Sequence, residues 1–181
     1  MDAGFSDIDV TLRDGRVVHF RAVGTADERE LLQAFERLSP EILYMRFMHV
    51  VREPNLDRLR KRLASFPESG VGMVATVPAA DGIDIVGGAF FVIGNDSATC
   101  EFAITVSPDY GRTGLGQALM SLLIDAAKRR GLKEMAGFVL AVNGPMLRLA
   151  ARLGFVISPD PDDWSVKICR LQLDGLSQAQ P

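Results

Sequence analysis

The sequence predicts an α/β protein of the α+β type, with one mixed, mostly antiparallel central sheet of about six to seven strands and helices on both faces. Two patterns predict it. Residues 71–106 are apolar runs separated by turn signals, which is typical of an antiparallel meander. From residue 111 onward, a glycine-rich loop, an amphipathic helix and further strands alternate. The 181 residues suit one domain, placed at 8–173 between an N-terminal tail at 1–7 and a flexible C-terminal tail at 174–181.

The N-terminal residues predict a β-hairpin. Residues 8–12 alternate apolar and polar side chains, residues 13–16 form an Arg-Asp-Gly-Arg turn signal, and the apolar run resumes at residue 17. Strict alternation puts His19 on the outer face of the second strand. We therefore interpret His19 as a solvated side chain rather than a catalytic one.

Three helices are predicted after the hairpin. Thr25 and Glu28 have the spacing of a capping box, so the first helix should begin with Thr25 as its cap. Ser39, which proline follows, predicts the start of a short second helix, and Asn55 the start of a third. The third helix carries a basic cluster, which we interpret as a solvated helix face: Arg58, Arg60, Lys61 and Arg62.

The rest of the chain is divided by its apolar periodicity. Strands are predicted at residues 71–77, 83–93 and 99–106. The helix that starts near residue 115 has the clearest amphipathic pattern of the chain, and Gly131 suits its C-terminal cap. A strand, a helix and two closing strands complete the prediction: residues 134–142, 145–153, 155–157 and 164–173.

The composition excludes several classes of protein. Apolar residues make up 48% and charged residues 24%, as in ordinary soluble globular proteins. A net charge of −3 argues against a nucleic-acid partner. There is no signal-peptide pattern and no apolar run near the ~20 residues that cross a bilayer, so we expect a cytoplasmic protein without a membrane partner. Cys100 and Cys169 lie in apolar runs and are interpreted as buried thiols, and no Cys/His cluster predicts a metal site.

The segment that carries chemistry is the glycine-rich loop at residues 107–116. A strand precedes it and a helix follows, and the amides at a helix N-terminus bind anions such as phosphate. The loop alone leaves open whether it holds a ligand or only connects the two elements. A Walker motif is excluded because Gln117 and Ala118 follow the glycines, and the dinucleotide fingerprint is incomplete because Leu119 occupies its third glycine position.

These residues resemble the GCN5-related N-acetyltransferase (GNAT) family. Val106-Ser107-Pro108 and the loop from Gly111 to Gly116 resemble its cofactor motif, and Asn143 with Leu153-Gly154-Phe155 resembles a second family block. The resemblance implies the GNAT fold, acetyl-CoA as the acyl donor, its pyrophosphate on the loop amides and its pantetheine along the strand before the loop. The implied cofactor-binding residues are Phe102, Ile104, Val106, Gly111, Arg112, Thr113, Gly114, Leu115, Gly116 and Asn143.

Within this family the chain is similar to the acetyltransferase domain of bacterial protein-lysine acetyltransferases. That similarity implies transfer to a primary amine, with a protein lysine as the first candidate. The oligomeric state is left open between a monomer and a homodimer. A small-molecule amine acetyltransferase and a non-catalytic acyl-CoA-sensing module remain as alternatives. Two positions depart from the family pattern: Gly111 replaces an Arg or Gln, and Ala150 occupies the place of a tyrosine that many members use as general acid.

Glu101 is the predicted catalytic residue. It is the carboxylate of the strand at residues 99–106, and a base is needed because a lysine-type amine is almost fully protonated at pH 7. The apolar neighbours of Glu101 predict a buried position, which suits a base that works near neutrality. Alternation instead places Glu101 on one face with Ala103 and Thr105, where it could simply be a solvated carboxylate. The family resemblance favours the catalytic role, because the base of the protein-lysine group lies at this position.

Overall fold

The computed structural model describes residues 6–175, so most of both predicted tails lies outside the described residues. The described chain forms one eight-stranded sheet in the order β1-β2-β3-β4-β5-β6-β8-β7, with five α-helices. The strands are β1 (Ile8–Thr11), β2 (Val17–Ala22), β3 (Gly70–Ala79), β4 (Gly82–Ile93), β5 (Thr99–Val106), β6 (Glu134–Leu140), β7 (Val156–Pro159) and β8 (Val166–Gln172). The helices are α1 (Glu28–Glu36), α2 (Pro40–Phe47), α3 (Leu56–Ser65), α4 (Leu115–Arg129) and α5 (Gly144–Arg152).

The predicted fold class is confirmed. All neighbouring strands are antiparallel except β5 and β6, which run parallel. The sheet has eight strands rather than the expected six to seven, because the short edge strands β1 and β7, of 4 residues each, both join it.

Helix α4 covers one face of the sheet and builds the core. Leu119 and Leu123 of α4 are fully buried, together with Phe20 of β2 and Phe91 of β4. Each such side chain contributes about 1.5–3 kcal/mol when it leaves water, so this layer supplies much of the stability of the fold. Cys100 and Cys169 are buried free thiols, as predicted, and burial raises the pKa of Cys100 to about 12.

Helices α1, α2 and α3 lie on the other face but pack loosely. No residue of α1 is buried, and α2 and α3 bury one residue each, Leu43 and Leu63. A ring contact between Phe66, which follows α3, and Phe90 of β4 closes one side of this layer, with centroids 6.2 Å apart. The loose packing leaves a cavity between the helices and the sheet.

Two of the three predicted helix starts are confirmed. The amide of Ile42 donates to Ser39 Oγ at 3.2 Å, and the amide of Arg58 donates to Asn55 Oδ1 at 2.9 Å. The capping box at Thr25 is wrong: residues Thr25–Asp27 form a 3₁₀ turn, and α1 begins at Glu28. Asp27 displaces the expected cap because its carboxylate accepts from the Gly24 amide at 2.8 Å and from Arg21 at 2.7 and 2.9 Å.

The His19 side chain is 43% exposed, and its Nδ1 lies 2.7 Å from Asp9 Oδ1 of the neighbouring strand β1. Across residues 6–175, no helix has the length and apolar character needed to cross a membrane.

Candidate active site

The sheet opens between β5 and β6. These two strands share three register pairs, of which Glu101↔Ala136 is the last. Beyond it, β5 continues to Val106 in register with β4, while β6 continues to Leu140 in register with β8. The edge of β5 from residue 102 onward therefore faces a cleft and has no neighbouring strand on that side, so its backbone groups are free to pair with an extended ligand.

The Phe102 ring packs against β6 where the two strands separate. The ring is buried, meets the ring of Phe155 at 5.3 Å between centroids, and lies over Gly137 of β6. A methyl group at Gly137 would overlap three carbons of the Phe102 ring, the farthest of them at 2.8 Å. The predicted cofactor residue Phe102 thus presents only its backbone to the cleft, as an extended ligand paired along β5 would require.

The glycine-rich loop turns sharply into α4 at the mouth of this cleft. Arg112 has φ +61° and Gly114 has φ +88°, both left-handed, and Gly114 is the residue before the first turn of the helix. The Thr113 hydroxyl donates to the Tyr110 carbonyl at 2.6 Å, which fixes the loop, and Leu115 is fully buried. Thr113 and Leu115 can therefore offer only backbone groups to a ligand. The first amides of α4 lack intrahelical acceptors and carry the positive end of the helix dipole.

Arg13 contacts this loop, although the sequence marked its segment only as a turn. The Arg13 amide donates to the Thr113 carbonyl at 3.0 Å, and its guanidinium donates to Gln117 Oε1 at 3.2 Å. Between these two points the Arg13 side chain passes beside Gly114. A cation thus lies at the N-terminus of α4.

Asn143 begins α5. Its Oδ1 accepts from the Met146 amide at 3.3 Å, so the helix-capping role is confirmed, and its contact with a cofactor stays a prediction. Ala150 is fully buried in the core cluster, and its carbonyl accepts from the Phe155 amide at 3.0 Å. Position 150 therefore offers no proton donor to the cleft. Tyr110, one of the chain's two tyrosines, is held under the Arg16 guanidinium, 3.8 Å from the ring centroid.

Glu101 lies where β5 and β6 separate, and it is exposed, so the predicted burial of this residue is wrong. The buried side chains of Cys100 and Phe102 alternate with it and face the core. Glu101 instead points to the opposite face of the sheet, where it lines a cavity of about 660 Å³ under α1, α2 and α3. The free edge of β5 therefore begins next to the Glu101 carboxylate. The cleft reaches this point along the strand edge, and the cavity reaches it from one face of the sheet.

The wall of this cavity combines apolar and cationic side chains. Leu31, Phe35 and Phe90 supply apolar surface, while Arg46 and Arg62 lie over the Phe90 ring with guanidinium carbons 5.6 and 5.1 Å from its centroid. Burial and the positive charges of Arg58 and Arg62 lower the pKa of Arg46 to about 10, with Glu101 opposing the shift. Burial and Arg58 likewise lower the pKa of Arg62.

The interpretation of the α3 basic cluster as a solvated face agrees with the exposure of Arg58, Arg60 and Lys61, whereas Arg62 is half-buried. Arg58 and Arg62 line the cavity, because their spacing of four residues puts them on the same side of α3. Arg60 lies outside and binds Glu28 at 2.7 and 2.9 Å. The i, i+4 spacing next to the apolar residues Leu59 and Leu63 was the signal that could have revealed this. Among residues 6–175, no group of side chains is arranged to hold a metal ion.

Comparison with known proteins agrees with this geometry. The family model described as "Acetyltransferase (GNAT) family" matches residues 30–155. Acetyltransferase PA5475 of Pseudomonas aeruginosa is 33% identical over 163 residues, which cover 90% of this chain and 88% of that protein. Acetyltransferase Pat of Mycolicibacterium smegmatis is 30% identical over 154 residues, or 85% of this chain, and the match spans only 46% of Pat.

Solved structures show the same fold. The GNAT domain of S. lividans PAT has a TM-score of 0.83 at 21% identity, with 92% of this chain and 96% of that chain covered. The putative acetyltransferase yncA from Salmonella typhimurium, solved with its cofactor acetyl-CoA, has a TM-score of 0.70 at 23% identity, covering 88% of this chain and 96% of that chain. The family match and the Pseudomonas relative together show that this chain belongs to the GNAT family of acetyltransferases, for which acetyl-CoA is the acyl donor.

Proposed function

We propose that this protein transfers the acetyl group of acetyl-CoA to a primary amine, with Glu101 as the general base. The observation that carries the proposal is the position of Glu101 at the point where β5 and β6 separate. The unpaired edge of β5 begins directly after it, and the cavity on the other face of the sheet contains its carboxylate. Donor and acceptor can therefore approach this residue from opposite sides.

The described residues fit acetyl-CoA. The loop from Gly111 through Arg112, Thr113, Gly114 and Leu115 to Gly116 would hold the pyrophosphate through backbone amides, and the Arg13 guanidinium adds a positive charge beside them. The β5 edge at Phe102, Ile104 and Val106 would pair with the pantetheine, and Asn143 lies at the start of α5 on the far side of the cleft. The absence of a side chain at Gly116 lets Leu149 of α5 pack closely against α4, because a Cβ at position 116 would lie 3.3 Å from Leu149.

The chemistry that remains for the protein is proton transfer and positioning. Bound acetyl-CoA supplies an activated thioester. An amine with a pKa near ~10.4 is neutral in only about 1 molecule in 2,500 at pH 7, so Glu101 would first accept a proton from the ammonium form. The neutral amine then attacks the thioester, and the second proton, released as the amide forms, can pass to the departing thiolate. The leaving thiol has a pKa near ~8.5 and departs without a strong acid, which makes the buried Ala150 compatible with turnover.

The cavity bears on the choice of acceptor. The similarity to protein-lysine acetyltransferases favours a protein lysine, which an open and shallow groove would admit. A cavity of about 660 Å³ lies within the range of small-molecule sites, roughly 300–1,000 Å³. This observation supports a small amine as the second candidate. If no amine gave thiol release, the result would favour a non-catalytic acyl-CoA-sensing module.

The test is the turnover of Glu101→Gln, measured as thiol release from acetyl-CoA over a panel of amines and lysine peptides. The variant keeps the shape of the side chain but accepts no proton, so we expect nearly unchanged cofactor affinity and turnover lower by roughly 10²–10³. Part of the loss should be recovered at high pH, where more of the amine is already neutral. Glu53→Gln is the matched control, because Glu53 lines the same cavity without lying on β5. Normal turnover of Glu101→Gln at pH 7 on the best acceptor would refute the assignment.

A further inference from the structure

Three arginines line the acceptor-side cavity without a carboxylate partner in the protein. Arg46 comes from α2, and Arg58 and Arg62 come from one face of α3. Within residues 6–175 none of the three guanidinium groups donates a hydrogen bond or forms an ion pair, whereas the neighbouring Arg37 and Arg60 are both paired with carboxylates. The cavity wall therefore carries three guanidinium groups without an ion-pair partner, and its two carboxylates are Glu53 and Glu101.

This arrangement costs energy in the free protein. The positive charges of Arg58 and Arg62 each disfavour the charged form of Arg46, and Arg58 does the same to Arg62, while their Phe90 contacts hold the guanidinium groups near one ring. Like charges held together in a partly desolvated site repel each other, and a bound anion relieves that repulsion. Planar guanidinium groups suit a carboxylate, because their parallel N–H donors match its two oxygens.

The rest of the wall indicates what accompanies the anion. Leu31, Leu32, Phe35 and Phe66 give the cavity apolar surface next to the arginines. Such a wall fits an aliphatic or aromatic group. The volume of about 660 Å³ exceeds what a single lysine side chain entering from a protein surface could fill.

From these residues we infer that the acceptor is a small amine that also carries a carboxylate and an apolar group, the chemistry of an apolar α-amino acid. Arg46, Arg58 and Arg62 bind the carboxylate, the apolar wall receives the side chain, and the amine faces Glu101. The inference rests on the proposed function, since it names the acceptor of that same reaction. A proton of the ammonium form passes first to Glu101. The amine nitrogen then forms the new bond to the acetyl carbon, the carbon–sulfur bond breaks, and the second proton passes to the departing thiolate.

The first experiment compares matched acceptors. Leucine, methionine and phenylalanine are assayed for thiol release against their carboxamides, with lysine peptides that have acidic or neutral flanking residues as further arms. We expect each free acid to exceed its amide by about tenfold to a hundredfold in kcat/KM, the range for loss of hydrogen bonds to a charged group. Equal rates for acids and amides would overturn the inference, and so would a lysine peptide that is a faster acceptor than every amino acid.

The second experiment measures binding and needs no turnover. N-acetylphenylalanine and its amide are titrated by calorimetry into the wild type, Arg62→Gln and Arg60→Gln. Arg60→Gln is the matched control, because it removes the same charge from the outer side of α3. Arg62→Gln should weaken binding of the acid at least tenfold and leave the amide unchanged, whereas Arg60→Gln should match the wild type for both.

The two experiments separate the inference from the proposed function. Binding of the acid that depends on Arg62, without thiol release from any amine, would support the carboxylate site and refute the transferase proposal. Thiol release with amines that do not need a carboxylate would support the transferase proposal and refute the carboxylate site. Equal effects of Arg62→Gln on the acid and the amide would also overturn the inference, because a merely structural arginine would weaken both.

Discussion

Gly114 lies where fold stability and cofactor binding respond to different properties of a side chain. Its φ of +88° is left-handed, which costs an ordinary L-residue about 1–2 kcal/mol. Space is not the obstacle, because the three atoms nearest to a Cβ at this position all belong to Arg13, the first of them Nε at 3.5 Å. An added side chain would thus stand between the Arg13 guanidinium and the first amides of α4.

Two substitutions at Gly114 should separate these effects. Gly114→Ala carries the full backbone cost of about 1–2 kcal/mol, which at ~2–4 °C per kcal/mol lowers Tm by about 2–8 °C. In Gly114→Asp the carboxylate offsets part of that cost, by about 0.3–1 kcal/mol at the helix N-terminus and about 0.2–1 kcal/mol beside Arg13. Aspartate also tolerates the left-handed region better than alanine does. We therefore expect Gly114→Asp to be the more stable of the two.

Cofactor affinity should show the opposite order. The aspartate carboxylate occupies the anion site itself and repels a pyrophosphate, so we expect Gly114→Asp to bind acetyl-CoA at least about a hundredfold more weakly, a loss of roughly 2.7 kcal/mol. Gly114→Ala leaves the charge of the site unchanged and should stay within about tenfold of the wild type.

Thermal unfolding and calorimetric titration of acetyl-CoA on the same protein preparations provide the assay. Wild-type affinity in Gly114→Asp would show that no phosphate binds at the start of α4. Equal losses in the two variants would show that the loop conformation, rather than its charge, determines binding.

Two further predictions concern the framework of the site. Gly137→Ala should lower the free energy of unfolding by about 1–3 kcal/mol, because its methyl group overlaps the Phe102 ring. The loss should be smaller in a Phe102→Leu background, which a double-mutant cycle of chemical unfolding measures. Equal losses in both backgrounds would refute the contact between Gly137 and the Phe102 ring as the cause. Burial alone would raise the pKa of Asp27, but hydrogen bonds from Arg21 and the Gly24 amide hold this pKa below its usual value. Ionised Asp27 therefore stabilises the fold at neutral pH, and this contribution is lost as pH falls below about 4. Asp27→Asn should therefore cost about 1–3 kcal/mol at pH 7 and progressively less towards pH 2, and a cost independent of pH would contradict this reasoning.

The elements that form the proposed cofactor side were largely predictable from sequence because they are local. A strand, a glycine-rich turn and a helix start are consecutive between residues 99 and 116, and the chemistry of helix N-termini follows from that order alone. The same locality explains why Ser39 and Asn55 were identified as helix caps. The capping-box prediction at Thr25 was wrong because of a tertiary contact. Arg21 of β2 orients Asp27, and only the folded chain brings that pair together.

The acceptor side was not predictable because its parts come from separate elements. Arg46, Arg58, Arg62 and Glu101 belong to α2, α3 and β5, and no local pattern shows that two helices stand off the sheet far enough to leave a cavity there. Arg13 presents the same problem, because 100 residues separate it from Thr113, whose carbonyl its amide contacts. The exposure of Glu101, by contrast, was one of the two outcomes that the residues left open, because alternation places it on one face of the strand with Ala103 and Thr105.

The end of the β5–β6 ladder leaves β5 with two accessible surfaces along one strand. Its odd-numbered side chains, Glu101, Ala103 and Thr105, face the cavity under α1, α2 and α3, while its free edge from residue 102 to residue 106 faces the cleft. At about 3.3 Å per residue, five residues of this edge span roughly 16 Å between the apex of the cleft and the loop before α4. A ligand whose phosphates are held at the loop and whose chain follows this edge must have its far end at the apex. Glu101 is the carboxylate of β5 at that apex, where β5 and β6 separate. The point of separation therefore determines where the acyl group of such a ligand would lie and which side chain would meet the incoming amine.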